Sequence, residues 1–164
     1  MCGIAGLWSH QLVDLASCLL PMLGALTARG PDGQGEWFDL TQGVALGHRR
    51  LKIMDQGPLG HQPALSGSGR YLLCYNGEIY NYRDLRAELA GGGASFQGNG
   101  DTEVALACLD RWGIEECLRR WDGMFALAIW DRERRRLVLA RDRLGEKPLF
   151  YGHIDGQFVF ASEL

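Results

Sequence analysis

No apolar run in this chain approaches the roughly 18 residues that a membrane-spanning helix needs, and its start lacks the basic and apolar regions of a secretory signal. No membrane association is expected, and a reduced, cytoplasmic setting is. The five cysteines, Cys2, Cys18, Cys74, Cys108 and Cys117, are odd in number and contain no C-x-x-C pair or Cys/His ladder, so neither a zinc site nor a disulfide framework is expected. An excess of positive charge is missing too. Seventeen basic residues against twenty acidic ones leave a net charge of −3, which argues against binding nucleic acid or an anionic membrane surface. Repeats, low-complexity tracts and linkers are also absent. At 164 residues and 46% hydrophobic content, the chain is expected to form one domain over residues 1–164 that buries roughly 70% of its unfolded surface.

What the chain does have begins at Met1-Cys2-Gly3-Ile4-Ala5-Gly6. Methionine aminopeptidases remove an initiator Met before a small side chain, so the mature chain is expected to begin with Cys2 and a free α-amine. One residue then carries both a nucleophile and a base, since an α-amine with a reference pKa of roughly 7.7–8.0 can accept the thiol proton near neutral pH. Lipidation does not account for this cysteine. A lipoprotein would need the missing signal peptide, and N-myristoylation would need Gly directly after Met. An incidental terminal thiol is the commoner meaning of a Met-Cys start, so the rest of the chain must decide.

Hydrophobic period predicts strands over Ile4–Trp8, Val44–Leu51, Tyr71–Tyr75, Phe125–Trp130 and Leu137–Ala140, with a last hairpin of Leu149–Tyr151 and Phe158–Ala161 around Asp155-Gly156. Helices are expected over Leu12–Leu26, from Tyr82 to about Leu89 with Asn81 as its cap, over Asp101–Trp112, and over Glu115–Trp121. Two groups of strands with helices on their outer faces suit a four-layer αββα sandwich, although periodicity alone supports only a mixed α and β protein.

Four polar clusters follow apolar strands: Arg29-Gly30-Pro31-Asp32, His48-Arg49-Arg50-Leu51-Lys52-Ile53, Asn76-Gly77-Glu78-Ile79-Tyr80-Asn81 and Gly100-Asp101-Thr102-Glu103. Each has an ordinary meaning alone: a solvated charge, a hairpin turn at Asn-Gly, a helix start at Asp-Thr-Glu. With an N-terminal cysteine they supply a nucleophile and base, oxyanion donors, and counter-charges for a zwitterion, the parts needed to hydrolyse a small amino-acid amide. His10, His48, His61 and His153 lie in separate segments and are expected to be structural or surface groups. The five tryptophans are expected to pack.

These motifs, together with Gly123-Met124-Phe125-Ala126, Arg141-Asp142-Arg143-Leu144-Gly145-Glu146-Lys147-Pro148-Leu149 and Ala161-Ser162-Glu163-Leu164, resemble the glutaminase domain of glutamine-hydrolysing asparagine synthetases over essentially the whole chain. Those are class II glutamine amidotransferases. The resemblance implies an α+β fold, a four-layer αββα sandwich of the N-terminal nucleophile hydrolase type. It also implies that Cys2 attacks the carboxamide of L-glutamine, that Asn76 and Gly77 form the oxyanion hole, that Arg50 holds the α-carboxylate with Leu51 and Ile53 lining the pocket, and that Glu78 and Asp101 hold the α-ammonium. Arg49 is expected to be structural. Two positions depart from the family: Ala28 stands where His is usual, and Gly100 where Ser is usual.

The same resemblance implies no metal or cofactor in this chain. ATP and Mg²⁺ belong to a C-terminal synthetase domain or subunit, whose Ser-Gly-Gly-x-Asp-Ser loop is absent here. That domain would use the ammonia, for asparagine from aspartate or for another acceptor, and a homodimer is expected only of the full-length form. A catalytically silent module serving contacts with a synthetase is the rival reading. The chain stops directly after a strand, so it is expected to be a fragment or isolated domain of something longer.

Overall fold

Strands β5 (Tyr71–Ile79) and β6 (Gly123–Asp131) hold the middle of the fold, because most side chains along them are apolar and both faces need cover. A computed structural model describes residues 1–11, 13–52 and 60–164. In it β5 and β6 pair antiparallel from Tyr71 opposite Asp131 to Ile79 opposite Gly123. They are flanked by β4 (Ala64–Leu65) and β7 (Arg136–Arg141). A second sheet contains β1 (Gly3–Trp8), β2 (Gly33–Asp39), β3 (Val44–Arg50), β8 (Phe150–Ile154) and β9 (Gln157–Ala161) in the order β2-β3-β1-β9-β8, all antiparallel.

The period of two along each strand sorts its side chains between layers. Leu72 and Cys74 of β5, with Ala126, Ala128 and Trp130 of β6, meet Ile4, Val44, Leu46 and Phe160 of the second sheet in a buried layer between the sheets. Tyr71, Leu73 and Tyr75 turn the other way, under α2 (Tyr82–Gly91), α3 (Asp101–Trp112) and α4 (Ile114–Arg120). On the far side, α1 (Leu15–Ala25) lays Leu15, Leu19 and Leu23 on Ala5, Leu7 and Ala45. Each such leucine contributes about 1.5–3 kcal/mol by leaving water. The layers therefore run αββα, as expected.

Several boundaries differ from the sequence expectation, each for a local reason. The first helix begins at Leu15, because the Asp14 carboxylate accepts from the N–H groups of Ala16 and Ser17 at 3.1 and 3.3 Å. Leu12 lies outside the described residues. Asn81 is the N-cap residue of α2, but its side chain makes no capping bond; it donates to Arg120 O at 2.9 Å and accepts from Asp122 N at 3.1 Å, tying α2 to the end of α4. Asn76-Gly77 is not a turn but the interior of β5. β2 had no strand expectation, because two glycines and three polar or charged residues hide its period; Gly35 is required where a Cβ would lie 2.1 Å from Gln62 O. Arg49 lies against β2, donating to Gln34 Oε1 at 2.7 Å. Edge strand β8 leaves Phe150, Tyr151 and Ile154 exposed. Among the described residues no helix is long and apolar enough to cross a membrane.

Candidate functional site

The alternation that builds the layers also gathers the site. Because Val44, Leu46 and Cys74 face the space between the sheets, His48, Arg50 and Asn76, an even number of residues further on, face it too. They meet at one end of the inter-sheet layer, where with Cys2 they line one open cavity. Leu51, Gly77 and Glu78 line it as well, and the start of α3 closes one wall with Gly100, Asp101 and Thr102. Seven of the eight sequence-expected site residues thus border a common space. The eighth, Ile53, lies outside the described residues.

Cys2 is held from several directions. Its Sγ accepts from Leu51 N at 3.4 Å and donates to Leu51 O at 3.6 Å. Arg29 Nε donates to Cys2 O at 3.1 Å while Nη1 pairs with Glu163 at 2.9 Å. Ser162 exchanges bonds with Ile4, Oγ accepting at 3.0 Å and N–H donating at 2.8 Å. Arg29-Gly30-Pro31-Asp32 is therefore a brace rather than a loose turn. A Cβ on Gly30 would lie 2.3 Å from the Arg49 carbonyl carbon, so only glycine lets the segment lie against β3. Asp32 then fixes the chain as it leaves β3, its N–H donating to Arg50 O at 2.9 Å and its carboxylate accepting from Lys52 N at 2.8 Å.

Asn76 is 3% exposed, and its Nδ2 has no hydrogen-bond partner among the described residues. A buried, unanswered donor costs about 1–3 kcal/mol, which makes it notable on a residue that shares a cavity with the Cys2 thiol. Arg50 is 8% exposed and engaged within the structure. Gly77 lines the same cavity, but its lack of a side chain has another cause than close approach to a ligand. A Cβ there would lie 2.2 Å from Met124 O and 2.7 Å from Phe125 Cα on the paired strand. Gly77→Ala is expected to cost about 1–3 kcal/mol of stability by forcing β5 from β6. Urea unfolding checks this, and a loss within error would mean that the strands part freely.

His48 is 1% exposed, with its Nε2 unpartnered among the described residues. Burial lowers its pKa from 6.5 to about 4, against a bond to the Tyr75 main chain that raises it. His48 is thus neutral at pH 7 and unsuited to donate protons there. The unfolded chain takes up this proton near pH 6.5 and the folded one only near 4. Stability from His48 is therefore complete above 6.5 and is lost as pH falls toward 4, by about 3 kcal/mol. Burial alone would raise Asp131 and Asp142, yet Arg70 on one and main-chain N–H groups on the other hold both below 3.8, so their contributions vanish at lower pH. His48→Gln should flatten the stability profile between pH 4 and 6.5 in denaturant melts; an unchanged slope there would refute the assignment.

Residues not anticipated from the sequence also border the cavity, among them Tyr75, Gln62, Met124 and Lys147. Lys147 is 9% exposed and its Nζ lies 3.8 Å from Met1 Sδ. It is positioned by Asp142, whose carboxylate accepts from the N–H groups of Phe125, Leu144, Glu146 and Lys147 at 2.9–3.2 Å. The long motif from Arg141 to Leu149 signalled this loop, though not which side chain it aims inward.

A family description, "Glutamine amidotransferase domain", matches residues 1–164. Asparagine synthetase [glutamine-hydrolyzing] 3 of Bacillus subtilis is 42% identical across 100% of this chain, and a putative asparagine synthetase [glutamine-hydrolyzing] of Mycobacterium tuberculosis is 41% identical across 99%. The chain spans 27% of the length of each. Among solved structures, the glutamine phosphoribosylpyrophosphate amidotransferase of B. subtilis, complexed with ADP and GMP, superposes with a TM-score of 0.81 at 25% identity, covering 98% of this chain and 42% of that one.

Proposed function

Since the chain belongs to the glutamine amidotransferase domain family, we propose that it hydrolyses L-glutamine to glutamate and ammonia through a γ-glutamyl thioester on Cys2, the ammonia then serving amide synthesis by a synthetase domain or subunit. The observation that carries this reading is the unanswered Nδ2 of Asn76, a residue that lines the same cavity as Cys2. A carbonyl oxygen that gains negative charge as sulfur attacks would give that donor its partner, so the interaction strengthens in the transition state rather than in the ground state.

Removal of Met1 frees the Cys2 α-amine, which takes the thiol proton as sulfur bonds to the carboxamide carbon. Asn76 Nδ2 and Gly77 N–H receive the oxyanion. Collapse breaks the C–N bond, and the amine returns its proton to the departing ammonia. Water then attacks the thioester, releasing glutamate and restoring the thiol. Arg50 would hold the α-carboxylate with its guanidinium fork, Leu51 main chain would line the pocket, and Glu78 and Asp101 would take the α-ammonium. Ile53 keeps its proposed place in that pocket from the resemblance alone.

The proposed acceptor of ammonia is aspartate, which ATP and Mg²⁺ would make reactive in a synthetase domain or subunit. The test is glutamate release from L-glutamine by protein whose intact mass shows that Met1 is gone. Release supports the glutaminase, and folded, processed protein that releases none would overturn it. Adding a partner synthetase with ATP and aspartate then asks for asparagine.

A further inference from the structure

We infer that Tyr75 is a positioning residue for the Asp101 carboxylate and thereby sets selectivity for amides that carry an α-amine, an inference that rests on the glutaminase reading. Tyr75 points to the helix side of β5 and is buried beneath α3. Its hydroxyl donates to Asp101 Oδ2, and Ile79 N–H donates to the same oxygen at 3.0 Å. Two donors on one oxygen fix the plane of the carboxylate. Both bonds go to Oδ2, which leaves Oδ1 without a hydrogen bond among the described residues, on a residue that lines the cavity.

The tyrosine is itself anchored. Gln62 Oε1 accepts Tyr75 N–H at 2.6 Å, which holds the main chain from which the ring reaches out. Burial first, and the neighbouring Asp101 next, push the phenol well above 10, so it remains a donor at every working pH. Asp101 has no other side-chain support, since Gly100 precedes it at the helix start without a capping group. Glu78 lines the same cavity, and its main chain pairs with Met124, but its carboxylate makes no hydrogen bond or ion pair to a described residue. It supplies charge without fixed direction. Directional recognition of an ammonium therefore falls to Asp101, and the Tyr75 hydroxyl supplies half of what orients it.

The experiment compares L-glutamine with glutaramate, the amide that lacks the α-amine, using Met1-free wild type and Tyr75→Phe. The substitution removes one hydroxyl and keeps the ring that packs in the core; circular dichroism and melting establish that it folds. Tyr75→Phe should raise KM for glutamine about tenfold with kcat within about twofold, and leave glutaramate kinetics unchanged, so the kcat/KM ratio between the amides falls about tenfold. A merely structural role would slow both amides alike. Equal losses for both, or an unchanged ratio, would overturn the inference. So would a wild type that does not prefer glutamine, a result available whether or not the variant folds. Folded wild type that hydrolyses neither amide would instead sink the glutaminase reading, and this inference with it.

Discussion

Protein that retains Met1, and protein carrying Cys2→Ala, are each expected to release no glutamate from L-glutamine above the uncatalysed rate. The two remove different halves of one residue's chemistry. Retention of Met1 leaves the sulfur but turns the base into a planar amide nitrogen, a loss of about 10²–10⁴ for general base catalysis alone. It also keeps the Met1 side chain in the cavity against Lys147, at 3.8 Å from Nζ. Cys2→Ala leaves the amine but no atom that can form the thioester. Neither change touches a buried core residue, so both proteins should melt close to the processed wild type. Intact mass, a melting curve and a glutamate assay on all three suffice. Turnover by Cys2→Ala at more than about a thousandth of wild type would remove Cys2 from the nucleophile's role.

Asn76→Ala is expected to lower kcat by about 10²–10³ while leaving KM for glutamine nearly unchanged, the usual loss for one oxyanion donor. What separates this from a packing effect is stability. Asn76 Nδ2 is buried without a partner among the described residues, so deleting it removes a desolvation cost of about 1–3 kcal/mol that offsets the small cavity left behind. The variant should therefore melt at or near the wild-type temperature although it is nearly inactive. A fall in kcat of less than tenfold would remove Asn76 from the oxyanion hole. A large drop in melting temperature alongside slow turnover would mean that the side chain holds the strands instead.

Range in sequence separates the features that could be read from the chain from those that could not. Cys2, Arg50, Asn76, Gly77, Glu78 and Asp101 sit in short motifs next to apolar strands, and a strand's period of two tells which of its residues share a face. Their common cavity emerges from that local rule plus the αββα order. Tyr75 was unreadable because its ring lies on the opposite face of β5 from Asn76 and its partner there, Asp101, is 26 residues away in sequence. Lys147 depends on a loop organised by Asp142 against Phe125, which no periodicity reports. The structural need for glycine at position 77 is hidden for the same reason: the atoms that exclude a Cβ belong to Met124 and Phe125, on a strand nearly fifty residues away. Asn81 is legible as the cap of α2 because caps are local, whereas its side-chain partners Arg120 and Asp122 are not.

The thiols are partitioned by depth. Cys74 donates to Gly47 O at 3.0 Å between the sheets, and with Cys108 and Cys117 it is buried, whereas Cys2 and Cys18 are partly open. Burial pushes Cys108 up to about 11 and raises Cys74 and Cys117 as well. Reactivity follows the thiolate, so a native sample given an alkylating reagent at neutral pH should gain at most two adducts, and a denatured one five. Peptide mapping then assigns the first two to Cys2 and Cys18, and saturating glutamine should shield Cys2 alone. The protein thus carries its own internal reference for active-site titration, with Cys18 reporting reagent and Cys2 reporting occupancy, and no substitution is needed to count competent molecules.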